Sequence, residues 1–147
     1  MHDLLYLDHN ATTPIHPEVR SAMLPWLENE FGNPSSVYSL GRRAAAALAT
    51  AREQLGCLVG AQPSEIIFNS CGTEATNTAI LSAIAIDPDK RHIITSAVEH
   101  SATIKLCEHL ATRGYEITWL PVDQDGLLDP AKLEAAITPE TAIVSLL

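Results

Sequence analysis

Residues 92–120 read HIITSAVEHSATIKLCEHLATRGYEITWL. Three segments are legible in that stretch. His92-Ile93-Ile94-Thr95 is a short, β-branched apolar run of the kind that fills a buried strand. From Ser101 to Arg113 the apolar residues take helical spacing, and Gly114 supplies a stop. Tyr115 to Leu120 is again strand-like. A strand, a helix and a second strand joined this tightly make a βαβ crossover, whose two strands lie parallel.

The same alternation extends in both directions. On the N-terminal side, Glu65-Ile66-Ile67-Phe68-Asn69 predicts a strand. Thr73 to Ile86 predicts a helix with Ala75, Ala79, Ile80, Ala83 and Ile84 on its apolar face, and Asp87-Pro88-Asp89-Lys90 a turn. On the C-terminal side, Asp129-Pro130 opens a short helix carrying Leu133, Ala136 and Ile137, and Thr141 to Leu147 predicts a further strand. Earlier still, a short strand-like start leads into turn chemistry at Asp8-His9-Asn10-Ala11-Thr12-Thr13-Pro14. A helix follows from Pro17 with Val19, Ala22, Met23, Trp26 and Leu27 on one face, kinked or shortened by Pro25. Residues 31–36 form a loop. The Ala-rich segment from Arg42 to Val59 predicts a long helix with Ala44, Leu48, Ala51, Leu55 and Leu58 as its buried stripe and Gly60 as its C-cap. The expected class is α/β, a mostly parallel sheet flanked by helices.

Composition narrows the function classes. The chain has 147 residues, 46% hydrophobic and 18% charged, which suits one globular domain. Eighteen acids against nine bases give a net charge of −9, which disfavours a nucleic-acid partner. No run approaches the roughly 20 apolar residues of a membrane helix, and the first eight residues carry no basic leader. Three widely spaced cysteines, Cys57, Cys71 and Cys107, argue against a disulfide framework and for a reducing compartment. Cys57 and Cys107 read as small apolar residues on helices. His2, His9 and His16 recur every seven residues, but Pro14 and Pro17 break any helix there, so no metal site is expected.

In open α/β sheets ligands bind beyond the carboxyl ends of the strands. Two turns fall at that edge. In Asn69-Ser70-Cys71-Gly72-Thr73-Glu74, Gly72 permits close backbone approach and Thr73 can cap the helix, whose free N–H groups favour a phosphate. The same residues also suit an ordinary N-cap. In Ser96-Ala97-Val98-Glu99-His100-Ser101, His100 can stack on a flat cofactor or move protons, or simply bond at a helix start. Neither a Walker A sequence nor GxGxxG is present.

Four blocks, in order and in register, resemble the N-terminal part of cysteine desulfurases, pyridoxal 5′-phosphate (PLP) enzymes of the class V aminotransferase group. They are residues 6–14, YLDHNATTP; 31–36, FGNPSS; 72–77, GTEATN; and 95–100, TSAVEH. Residues 60–68 and 120–123 also fit. The resemblance implies the large-domain fold of type I PLP enzymes, with residues 1–147 as the N-terminal segment and first part of that domain. It implies conversion of L-cysteine to alanine with sulfur passed on for iron–sulfur clusters and thio-cofactors. PLP would serve as electron sink. It assigns Gly72 and Thr73 to the PLP phosphate, His100 to ring stacking and proton transfer, and Asn10, Ala11, Thr12 and Asn33 to the substrate pocket. It further implies a cytoplasmic homodimer, or a complementing C-terminal half, and a scaffold protein as sulfur acceptor.

The departures are specific. The family's Schiff-base lysine, pyridine-pairing aspartate, persulfide cysteine and carboxylate-binding arginine have no counterpart here; Lys90, Lys105 and Lys132 stand in other contexts. Cys71 replaces a customary glycine, and Asn69 and Thr76 replace common Thr and Asp. The expectation is therefore a fragment, inactive alone, of a longer desulfurase. The alternatives are another class V enzyme, such as a selenocysteine lyase or an aminotransferase, and a non-catalytic truncated interaction module.

Overall fold

The computed structural model describes residues 5–147. Residues 1–4, including His2 and the beginning of the strand-like start, lie outside the described residues. The chain divides into two compact units, residues 1–67 and 68–147.

The first unit is helical. α1 spans Pro17–Glu28, with proline at its first position and His16 as N-cap. It runs through Pro25 to Glu28, so the proline does not end it there. None of its residues is buried: the predicted face of Val19, Met23, Trp26 and Leu27 is exposed. α2 spans Ser39–Val59, starting three residues before the expected Arg42. Of its predicted stripe only Ala44 is buried, while Leu55 and Leu58 are exposed. Helical spacing marks an apolar stripe; burial needs an element to cover it. Cys57, read as a small apolar residue on a helix, does lie in α2 but is exposed. Gly60 ends α2 in the left-handed conformation at φ 73°, as expected.

Two glycines set the loop between α1 and α2. A Cβ on Gly41 would lie 2.6 Å from the carbonyl oxygen of Asn33 and closer still to that of Ser36. The start of α2 thus lies against the loop backbone, and only glycine fits there. A Cβ on Gly32 would likewise run into the backbone of Leu40. The segment Glu65–Asn69, expected as a strand, begins in a single 3-10 turn over Pro63–Glu65 and makes no strand. The strand-like start likewise forms no strand over residues 5–7.

The second unit carries the α/β architecture. α3 (Gly72–Ile86) leads to β1 (His92–Ser96), α4 (Ser101–Thr112), β2 (Glu116–Leu120), α5 (Pro130–Ala136) and β3 (Thr141–Ser145). The strands order β2-β1-β3, all parallel. β1 pairs with β2 in unbroken register from His92↔Glu116 to Ser96↔Leu120. Its pairing with β3 carries one irregularity, between His92 and Ile93. Asp129 caps α5 by accepting from the Ala131 N–H at 2.9 Å.

Ile93 of β1, Ile80 and Ile84 of α3, and Cys107 and Leu110 of α4 form the core on one face of the sheet. Cys107 is fully buried, in agreement with the sequence reading. All five residues of β1 are buried, including three polar ones. His92 solves its own burial: Nδ1 pairs with the Thr141 hydroxyl on β3 and Nε2 with the Thr118 hydroxyl on β2, both at 2.8 Å. One imidazole thereby joins all three strands and leaves neither ring nitrogen orphaned.

Two stability changes follow. Ile93→Ala should destabilise the second unit by roughly 2–5 kcal/mol, measured as a lower urea midpoint at unchanged slope. Gly41→Ala should destabilise the first unit by about 1–3 kcal/mol, because the loop backbone at Asn33 and Ser36 must move to admit the methyl group.

Candidate functional site

The carboxyl edge of the sheet carries a cleft of about 490 Å³, open to solvent and contained in the second unit. Three chain segments build it: the turn into α3 with Cys71, Gly72 and Thr73, the turn from β1 into α4 with Glu99 and His100, and residues 145–147 at the end of β3.

The first segment is a helix N-terminus. Cys71, not Thr73, is the N-cap of α3, and the helix starts at Gly72. Its first intrahelical bond runs from the Ala75 N–H to the Cys71 carbonyl at 3.1 Å, so the N–H groups of Gly72, Thr73 and Glu74 lie ahead of the helical ladder. A Cβ on Gly72 would meet no atom within 4 Å, leaving the approach to these donors clear. The Glu74 carboxylate turns back to accept from the Ser70 N–H at 2.6 Å. Bonds from Ser70 hold the Glu74 carboxyl below its ordinary range. That contribution is in place at neutral pH and is lost as the pH falls through the lowered value.

The Cys71 thiol faces the same donors. The Glu74 N–H, then the Ser70 hydroxyl, favour its thiolate and lower its pKa. Desolvation, with a smaller push from Glu99, raises that of Cys107.

The second segment places His100. It is the N-cap of α4, and its Nδ1 accepts from the Ala102 N–H at 3.1 Å. The two readings of this histidine, ligand group and helix-start bond, are thus compatible. The cap occupies the Nδ1 lone pair, so the proton of the neutral ring sits on Nε2. Glu99, beside it, is buried and accepts from the Ser96 hydroxyl at 3.0 Å and the Leu147 N–H at 2.7 Å.

The geometry fits a phosphorylated, flat ligand: unladdered N–H donors at one end of the cleft, clear space over Gly72, and an exposed imidazole at the other side. Gly72, Thr73 and His100 are brought together there. The other candidates belong to the first unit. Asn10 and Ala11 lie in a turn closed by the Ala11 N–H on the Asp8 carbonyl at 3.1 Å, with Thr12 bonded to the Tyr6 hydroxyl at 2.8 Å. Asn33 sits in a separate loop, its side-chain oxygen accepting from the Ser35 N–H at 2.9 Å. Glu99 is a site residue that sequence reasoning misses. Its only mark in the sequence is its place just before His100.

The aminotransferase class-V family profile matches residues 5–147. Cysteine desulfurase 2 of Trichormus variabilis is 51% identical over 142 residues, an alignment covering 97% of this chain and 36% of that protein. A solved NifS-like protein superposes with a TM-score of 0.89 at 33% identity, over 95% of this chain and 38% of its own. The structure of SspA in complex with cysteine superposes at 0.87 with 34% identity, over 96% and 41%. The chain thus spans a little over a third of the length of these relatives. The family profile runs across both units and includes both turns of the cleft, and the chain belongs to the class-V aminotransferases.

Proposed function

We propose that this chain forms part of a PLP-dependent cysteine desulfurase, contributing the N-terminal segment and first part of its large domain. The observation that carries the reading is the meeting of Gly72, Thr73 and His100 in one cleft at the carboxyl edge of the sheet. Relatives named cysteine desulfurase over nearly the whole chain support it, as does a structural neighbour solved with cysteine.

Bound PLP supplies an electron sink for bond cleavage next to the amino-acid nitrogen. The chain's own residues hold and orient it. The N–H groups of Gly72 and Thr73 would donate to the phosphate, helped by the positive end of the α3 dipole. Phosphate bound there would share the Thr73 N–H, one of the donors that favour the Cys71 thiolate. His100, fixed by its cap to Ala102, would stack on the ring and would offer a proton at Nε2. The family resemblance assigns Asn10, Ala11, Thr12 and Asn33 to the substrate pocket. The reading carries with it L-cysteine as substrate, a scaffold protein as sulfur acceptor, a homodimer or a complementing C-terminal half, and a cytoplasmic setting. No helix among the described residues is long and apolar enough to cross a membrane.

The test is borohydride treatment of the protein purified from its own source, followed by intact mass. A polypeptide containing residues 1–147 and carrying reduced PLP supports the reading; no PLP on any such polypeptide contradicts it.

The thiols give a separate prediction. Iodoacetamide at neutral pH should label Cys71 first and Cys107 last, read by peptide mass spectrometry. Added PLP or inorganic phosphate should slow labelling of Cys71 by engaging the Thr73 N–H that the thiol shares and by covering the start of α3. Labelling of Cys71 unchanged by both ligands would remove the phosphate from the α3 N-terminus.

A further inference from the structure

We propose that Glu99 is the positioning residue of the cleft, a side-chain rung that ties β1 to β3 beyond the end of their ladder and thereby sets His100. The inference deepens the proposed function, and its importance rests on that reading of the cleft.

The β1–β3 pairing ends at Thr95↔Ser145. Past that point the two segments have no backbone partners in each other. The Glu99 carboxyl group occupies this position. Its Oε1 accepts from the Ser96 hydroxyl at the last residue of β1 and from the Leu147 N–H two residues beyond β3. The turn is held on its other side too, where the Ala97 N–H donates to the Leu120 carbonyl at the end of β2 at 2.8 Å. A four-residue turn, 97–100, is thus anchored to both neighbouring strands, and His100 is its last residue.

Burial makes the arrangement selective. Glu99 is 9% exposed, and a carboxyl group removed from water is retained only where donors repay its lost hydration. Both donors fall on Oε1, and among the described residues Oε2 makes no hydrogen bond. The tie therefore needs an acceptor of this length at this position, and does not need the charge. Without it, the turn keeps its hold on β2 and loses its hold on β3. The ring of His100 is then oriented by the α4 cap alone.

The experiment is NMR on the uniformly 15N-labelled 147-residue chain, comparing the parent with Glu99→Ala, Glu99→Gln and Ser96→Ala. Three signals are read: exchange of the Leu147 amide, the imidazole nitrogen shifts of His100 across a pH titration, and exchange of the Ile94 amide as a fold control. Glu99→Ala should speed Leu147 exchange about tenfold and displace the His100 shifts, with Ile94 still protected. Glu99→Gln, which keeps an acceptor at Oε1, should restore both signals. Unchanged His100 shifts in a folded Glu99→Ala variant overturn the proposal, as does a Glu99→Gln variant that behaves like Glu99→Ala. If Glu99→Ala loses Ile94 protection, the other two variants decide. Ser96→Ala should displace the His100 shifts while Leu147 stays protected, and no displacement overturns the proposal. A parallel PLP titration of the parent chain, followed by the same spectra, tests the cleft separately. Failure to bind PLP strikes the proposed cofactor site, whereas the role of Glu99 stands or falls on the exchange and shift data.

Discussion

A strand in the middle of a parallel sheet is covered on both faces and both edges, and β1 meets that constraint with only five residues. Three of them are polar. Each polar group placed there must find its partners inside the protein, since water is excluded. His92 does so by reaching sideways to a threonine on each neighbouring strand, and Ser96 by bonding to Glu99. Ile93 turns to the helical face and seats α3 and α4. The strand order, the choice of face for the two helices and the position of the cleft all descend from how this one strand is satisfied. The exception is informative: among the described residues the Thr95 hydroxyl is buried without a partner, one residue before the strand opens into the cleft.

The cleft is a product of termini. Helix starts present N–H groups that the helix cannot use, and strand ends release the chain into turns that point away from the core. Placing the start of α3, the start of α4 and the end of β3 at one sheet edge gathers donors, an imidazole and a buried carboxyl group without any one of them being strained. No non-glycine residue among those described has a positive φ. The chain's surplus of acid does not spoil the site. Glu74 is turned back on Ser70, and Glu99 is bound on Oε1, so the two nearest carboxylates are engaged within the protein.

Much of this is legible in the sequence, and unevenly so. The elements of the second unit follow from local pattern: β-branched runs for β1 and β3, helical spacing for α3 and α4, Gly114 and Asp129 as stop and start signals. Those patterns encode local propensity and burial together, and here the two agree. In the first unit they part. Leu55 and Leu58 sit at correct helical spacing and remain exposed, because spacing does not say what lies opposite. Glu65–Asn69 has the residues of a strand, but its first residue is drawn into the 3-10 turn that Pro63 opens, and no strand is assigned there. At the site, Gly72, Thr73 and His100 are legible through motif chemistry. Cys71 stands out in the sequence only as a departure, and its place as N-cap follows from where the helix begins, one or two residues that pattern cannot fix. The parts played by His92 and Glu99 depend on partners 26 to 49 positions away, which no local reading supplies.

The strand order has a consequence for how the polypeptide reaches its folded state. Of the three strands among the described residues β1 is the first to be synthesised, yet it lies in the middle of their sheet, and its partner at Thr141 arrives 49 residues later. Closing that loop costs entropy before any contact repays it. During synthesis the β1–α4–β2 crossover can assemble on its own, but one edge of its fully buried strand, β1, stays unpaired until β3 leaves the ribosome. An unpaired apolar edge is a template for association with other nascent chains. The interval between translating β2 and translating β3 is therefore the window in which this polypeptide most needs chaperone protection, and slowed translation across residues 121–140 would lengthen it.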